Sequence, residues 1–331
     1  MDRNPFSNQP VASDNFEVLQ FSTNTGLSLI EIIPSLGGAI NRLQLTNEKS
    51  RQEEVICPIS PEEFANGNPY YKGVLLFPFV NRLDNGKYSY AGKSYQFVLN
   101  EPALRNRLHG FLFNLAVNVN ATYPAPNETR ITLQYSYTGN LEAYPFPMEI
   151  EVEYCLHDTN GLKVTFNITN RHQSNAPLAI GWHPYFTLRG SLANWQMQLP
   201  TVRHISVDKR LLPTGHKYHY EHFNKLNAIG NKNLDHCFQL DLNQEVKNSI
   251  ASSYLWSEEY QHGLEIWQQV GINAFNYLQV CIPPTRDCVA IEPVSANINA
   301  FNNGEGLTHL EPNKTFTQQC GVRLISKKPK K

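Results

Sequence analysis

The chain has 331 residues, 41% of them hydrophobic and only 17% charged, with a formal net charge of −1. Such a surface carries no electrostatic footprint for nucleic acid or an anionic membrane, and no run of about 18 apolar residues is present to span a bilayer with a helix. A neutral small molecule is the better-matched partner, and the length suits either one large all-β domain or two of ordinary size.

Met1 to Asn15 is polar and has no apolar stretch of signal-peptide type, so the cytoplasm is the expected compartment. Phe16 to Ile33 alternates loosely and is followed by Pro34-Ser35-Leu36-Gly37-Gly38, which reads as a hairpin and then a turn needing glycine. Gly86 to Phe97 is the clearest local pattern: Lys87-Tyr88-Ser89-Tyr90 alternates, Ala91-Gly92 turns, and Ser94-Tyr95-Gln96-Phe97 alternates again, a hairpin with its aromatic residues on one face. Arg130 to Tyr137, Met148 to Leu156 and Leu162 to Ile168 show the same period of two. Trp195 to Leu199, Leu264 to Trp267, Tyr277 to Ile282, Val289 to Pro293 and Thr315 to Ile325 are further expected strands. Helical signals are confined to one turn at Pro61-Glu62-Glu63-Phe64 and another near Glu258. Many short strands separated by turns, with no linker or repeat, predict one all-β domain over residues 1–331, a sandwich or barrel. That domain has a short polar N-terminal end (1–15) and a basic C-terminal end (326–331), whose tail Lys327 to Lys331 is expected to fray.

The six cysteines are scattered with no C-x-x-C pair and read as reduced thiols. His216, His219 and His222 lie in a stretch with Pro213 and Gly215 that reads as a solvated loop, without the partners a zinc site needs. No phosphate loop, G-x-S-x-G, H-E-x-x-H or dinucleotide fingerprint is present, so no metal or other cofactor is signalled.

A handful of polar residues sit at the ends of apolar runs. Asn81 and Arg82 follow Val74-Leu75-Leu76-Phe77-Pro78-Phe79-Val80, where an unpaired arginine is costly, so a structural carboxylate could also claim Arg82. His109 precedes Gly110, and Glu292 ends Val289-Ala290-Ile291. Asp235 opens Asp235-His236-Cys237-Phe238. His183 stands in Ala179-Ile180-Gly181-Trp182-His183-Pro184-Tyr185-Phe186, where Pro184 makes a strand end and Trp182, Tyr185 and Phe186 offer rings of the kind that pack under a sugar. Each histidine alone also fits a satisfied core residue. Together, two histidines, two carboxylates and an arginine at strand ends point to one rim or concave face.

Phe77-Pro78-Phe79-Val80-Asn81-Arg82-Leu83, Gly86-Lys87-Tyr88, Leu99-Asn100-Glu101-Pro102 and Leu108-His109-Gly110 resemble blocks of the aldose 1-epimerase (galactose mutarotase) family. So do Gly181-Trp182-His183-Pro184-Tyr185-Phe186, Leu212-Pro213-Thr214-Gly215, Leu234-Asp235 and Ile291-Glu292-Pro293, in the family's order over roughly residues 20 to 325. The resemblance implies a large antiparallel β-sandwich, the galactose mutarotase-like supersandwich, with the sugar on its concave face. By motif, Glu292 matches the general base, His183 the general acid and His109 a second site histidine. Arg82 and Asp235 match groups that hold sugar hydroxyls, with Asn81 beside them. The implied activity is interconversion of the α and β anomers of a free aldose without a cofactor, by a monomer or homodimer. The alternatives are a hexose-6-phosphate 1-epimerase, for which Arg105 and Arg107 are candidate phosphate ligands, an epimerase of another modified sugar, and a non-catalytic carbohydrate-binding protein. The chain departs from the family at Val80, where proline is frequent, and at Ser295–Asn299, where a Pro-Asp pair commonly precedes Ala-Phe; the latter loop bears on sugar choice.

Overall fold

A computed structural model describes residues 17–242 and 249–329. The expected polar end 1–15 and the last two lysines lie outside the described residues. The rest of the basic tail is pinned: Lys328 Nζ lies 2.5 Å from Glu258 Oε2, and Ser326 bonds Glu48.

Period-two patterning produces the larger sheet. Its nine strands run in the order 118–125, 128–137, 148–157, 161–170, 315–325, 262–270, 249–257, 195–198 and 227–228, antiparallel throughout. Across four of them, Ile131, Tyr154, Val164 and Cys320 stand opposite one another and are all buried, because residues two apart face the same side. Fully burying side chains of this size stabilises by about 1.5–3 kcal/mol each.

The second sheet holds shorter strands in the order 213–220, 202–207, 235–240, 277–281, 289–294, 181–182 and 75–76, with 185–186 also paired to 289–294. Its inner residues Leu278, Val280, Val289 and Ile291 share one core with Leu264, Ile266, Val322 and Leu324 of the first sheet. Both sheets are antiparallel, so the molecule is the expected β-sandwich. A four-stranded sheet, 19–22, 29–33, 39–46 and 52–54, adds the N-terminal hairpin. The Lys87–Tyr90/Lys93–Gln96 hairpin also forms, with Tyr88 opposite Tyr95.

Among the described residues helix is confined to single turns. Pro61–Ala65 is closed by a capping box between Ser60 and Glu63. Glu258 belongs to the hairpin turn between 249–257 and 262–270 instead of a helix, because those strands pair without interruption up to Ser257 and His262. A short helix at Ala300–Asn303 gave no periodic signal. The His216–His219 stretch is not a loop: Pro213–Tyr220 is the outermost strand of the second sheet, and pairing to 202–207 on one side leaves His216 and His219 exposed. All six cysteines are free thiols. No helix among the described residues is long and apolar enough to cross a membrane.

Candidate active site

Strand 289–294 is buried on both faces, which fixes where Glu292 goes. Val289 and Ile291 enter the core between the sheets, so alternation sends Ala290, Glu292 and Val294 to the other face. Tyr277–Cys281 pairs alongside with Gln279 directly opposite Glu292. His183 ends strand 181–182 and is locked by two backbone bonds, from its N–H to Val74 O and from Gly73 N–H to its carbonyl, each 2.9 Å. Gly181 permits the close packing there, since a Cβ would lie 2.8 Å from Val294 Cγ1.

The result is a contact: His183 Nε2 lies 3.4 Å from Glu292 Oε1, with both side chains almost completely buried. The His109 ring meets His183 edge-on at 5.3 Å, and Tyr71 packs against His109 at 4.7 Å. Tyr185 stacks on His183 at 5.3 Å. Trp182 and Phe186, expected to offer faces to a sugar, instead pack on each other in the core at 5.8 Å; alternation along the chain turns them away from the His183 side.

Asn81, His109 and Tyr71 all hold left-handed backbone, with φ of 54°, 61° and 53°. For non-glycine residues this costs about 1–2 kcal/mol each, and such strain gathers at functional sites. It is held in place by the bond from His109 N–H to Asn81 O at 3.0 Å. Gly110 is required next to it: at φ 66° a Cβ would fall 2.1 Å from Phe77 O.

Arg82 does find a structural carboxylate. Its Nε and Nη2 donate to Glu101 at 2.9 Å each, while Nη1 lies 3.5 Å from Asn81 Oδ1. Asp235 is exposed at the start of its strand and is tied inward by Gln279, whose Nε2 donates to Asp235 Oδ1 at 2.7 Å. Gln279 Oε1 in turn accepts from Asn81 Nδ2 at 3.1 Å. Asn81, Gln279 and Asp235 therefore form one chain beside Glu292. The Ser295–Asn299 loop clamps the opposite side: Asn299 N–H donates to Arg82 O at 2.8 Å, and Asp84 N–H to Asn299 Oδ1 at 3.1 Å.

Electrostatics follow from burial. Desolvation holds the Glu292 carboxyl well above the usual carboxylate range; nearby Asp235 adds to the rise and Arg82 opposes it. Desolvation pushes His183 down to about 3 and His109 well below the histidine range, the latter aided by His183, Arg82 and Arg107. Both shifts favour the uncharged form of each group, a protonated carboxyl beside a neutral imidazole. Nδ1 of His109 and of His183 are buried and have no hydrogen-bond partner among the described residues.

The structure brings Glu292, His183, His109 and Asn81 together as buried groups, with Arg82 and Asp235 linked through Asn81 and Gln279. Tyr71, Glu101 and Gln279 were missed as site residues. Gln279 had a usable signal, a polar residue in the apolar run Tyr277-Leu278-Gln279-Val280; Tyr71 had none.

A family model described as Aldose 1-epimerase matches residues 19–323. Among curated relatives, the uncharacterized protein YihR of Escherichia coli K12 is 29% identical, covering 81% of this chain and 84% of its own. Galactose mutarotase of Mus musculus is 25% identical over 60% of this chain and 57% of its own. A galactose mutarotase-like protein from Clostridium acetobutylicum superposes with a TM-score of 0.81 at 21% identity, covering 95% of this chain and 97% of that one. An aldose epimerase homologue from C. elegans does so at 0.75 and 17% identity, over 93% and 98%. With the family model spanning nearly the whole described fold, the chain belongs to the aldose 1-epimerase family, isomerases that act on carbohydrates.

Proposed function

We propose that this chain is a mutarotase for a free, unphosphorylated aldose, with Glu292 as general base and His183 as general acid. The observation that carries this is the buried Glu292–His183 contact at 3.4 Å, flanked by His109 and the Asn81–Gln279–Asp235 chain. Interconverting anomers requires one proton to leave O1 and one to reach the ring oxygen, followed by rotation about C1–C2 and closure with the roles exchanged. A positioned acid or base contributes about 10²–10⁴-fold to such a transfer. Burial makes Glu292 a stronger base once ionised and His183 a stronger acid once protonated, and these are the forms the two transfers use. Arg82 opposes the rise at Glu292 and so favours its carboxylate form. Asp235 and Asn81 accept and donate to sugar hydroxyls, and His109 crowds the ring from the His183 side. The two transfers need neither a metal nor a redox cofactor.

The phosphosugar alternative loses its anchor at Arg107. That guanidinium is buried and donates to Gly110 O at 2.8 Å and Val98 O at 3.2 Å, which leaves exposed Arg105 as the remaining candidate of the two. The test is polarimetry on freshly dissolved α-glucose and α-galactose, with glucose 6-phosphate in parallel. Wild type is expected to speed the drift of a free sugar, and Glu292→Gln to lose about 10²–10⁴ of that rate while keeping its melting temperature. A wild type that binds sugar without speeding the drift makes the chain a binding protein instead.

A further inference from the structure

Next to the site, behind Tyr185, lies a cluster of thiols that the acid–base chemistry does not use. Cys57 Sγ, Cys288 Sγ and a carboxylate oxygen of Asp287 all lie within 4.8 Å of one another. Cys57 is half-buried and Cys288 buried. Lys72 is held against them: its Nζ is 2.7 Å from Glu63 Oε1 and 3.3 Å from the carbonyl of Pro58, the residue after Cys57. Asp287 Oδ1 accepts from Thr285 Oγ1 at 2.6 Å and lies 3.3 Å from Cys288 Sγ. Tyr185, Ala290 and Cys281 belong to the same small cluster.

From this arrangement we infer that Cys57 and Cys288 are a reactive dithiol that closes to a disulfide on exposure to a hydroperoxide and thereby acts on the His183 site through Tyr185. Cys57 is the attacking group because it reaches solvent and faces an ammonium; a hydrogen bond from Cys288, with Lys72 assisting, holds its thiol down to about 7. The Cys57 thiolate attacks one oxygen of the hydroperoxide, the O–O bond breaks, and the alcohol or water leaves with a solvent proton. Cys57 is then a sulfenic acid. Cys288 gives up its proton and attacks that sulfur, the S–O bond breaks, and water departs. The two thiols have lost two electrons and the peroxide has gained them. The hydrogen bond with Cys57 and then burial hold the Cys288 thiol up, which suits a resolving group that loses its proton only as it attacks.

The link to the site is made by strand 185–186. Cys57 N–H bonds Tyr185 O at 2.9 Å on one side, and Tyr185 pairs with Ala290, two residues from Cys288, on the other. A disulfide requires the two sulfurs to come to about 2.05 Å, so closing it draws both flanks together across Tyr185. The Tyr185 ring is the one stacked on His183. A soft divalent cation held by the same three donors is the competing occupant, but it would share its pocket with the Lys72 charge.

The experiment treats the reduced full chain with a few equivalents of hydrogen peroxide. Expected are loss of two hydrogens from the intact mass, a non-reducing peptide joining Cys57 to Cys288, and reversal by dithiothreitol. The Cys57→Ser variant should form no link, and Cys288→Ser should stop at an oxygen adduct on Cys57. Alkylation of wild-type Cys57 by iodoacetamide, which depends on neither variant folding, should reach half its maximal rate near pH 7 instead of the ordinary ~8.5. Anomerisation should fall severalfold on oxidation and recover on reduction. That last readout rests on the epimerase reading and the cross-link does not, so a chain that links its thiols yet never turns over sugar overturns only the former. No link, a link to Cys281, or zinc binding that shields Cys57 and is lost in Asp287→Asn overturns the dithiol. A link that leaves turnover unchanged overturns its coupling to Tyr185.

Discussion

In the nine-stranded sheet, residues 128–137, 148–157 and 161–170 pair in register over ten residues each, burying every second side chain and leaving charged ones such as Glu149, Glu151 and Glu153 on the other face. Around the site, strands shrink to two or three residues, as at 75–76, 82–84 and 181–182. There Tyr71, Asn81 and His109 hold left-handed backbone, and His109, His183, Glu292 and Gln279 are buried polar groups. The first region pairs regular backbone over buried apolar side chains, whereas the second holds left-handed backbone and buried polar groups. The difference teaches that the regular sheet supplies stability from which the rim can be held in a costly but reactive arrangement.

Single changes can separate the two. His183→Asn should lower mutarotation by about 10²–10⁴ while leaving the melting temperature unchanged or higher, because the neutral amide removes a desolvated imidazole; polarimetry and thermal melts check both halves. Ile131→Ala, in the centre of the large sheet, should do the reverse. Deleting that buried side chain costs about 2–5 kcal/mol in denaturant melts, with turnover per folded molecule unaltered.

Acid provides a graded version of the same contrast. The folded value of His183, about 3, lies below its ordinary 6.5, so the native state binds fewer protons than the unfolded one. Its contribution is therefore complete above about pH 6.5 and is lost as pH falls toward 3, amounting to about 2 kcal/mol by pH 5. Wild type should lose that much more stability than His183→Asn between pH 7 and 5 in urea titrations. Glu292, raised above 4.5, acts with the opposite sign: its stabilisation is present at low pH and lost as pH climbs through its folded value. The smallest expected effect is that of Gln279→Leu. Removing the link between Asn81 and Asp235 should raise KM for the sugar roughly fivefold, about 1 kcal/mol, with kcat and the melting temperature near wild type.

The antiparallel sandwich was legible because local chemistry dictates it. Alternation at Arg130–Tyr137, the Ala91-Gly92 turn and the motif blocks around Arg82, His109, His183 and Glu292 each depend on neighbours in the chain. Even so, the Pro213–Tyr220 stretch shows the limit: proline and glycine signalled a loop, and pairing to 202–207 made it a strand. Partnership across the chain was beyond reach of the sequence. That Glu101 claims one edge of Arg82, that Gln279 bridges Asn81 and Asp235, and that Cys57 meets Cys288 all depend on strands brought side by side from distant positions. The same holds for the aromatic residues near His183. Composition showed rings fit for a sugar, but the pleat of the folded strand turned Trp182 and Phe186 into the core and left Tyr185 against the imidazole. Residue type and spacing determine which face is apolar and which groups can exchange protons; distance, burial and the state of each proton arise only when the two sheets close on one another.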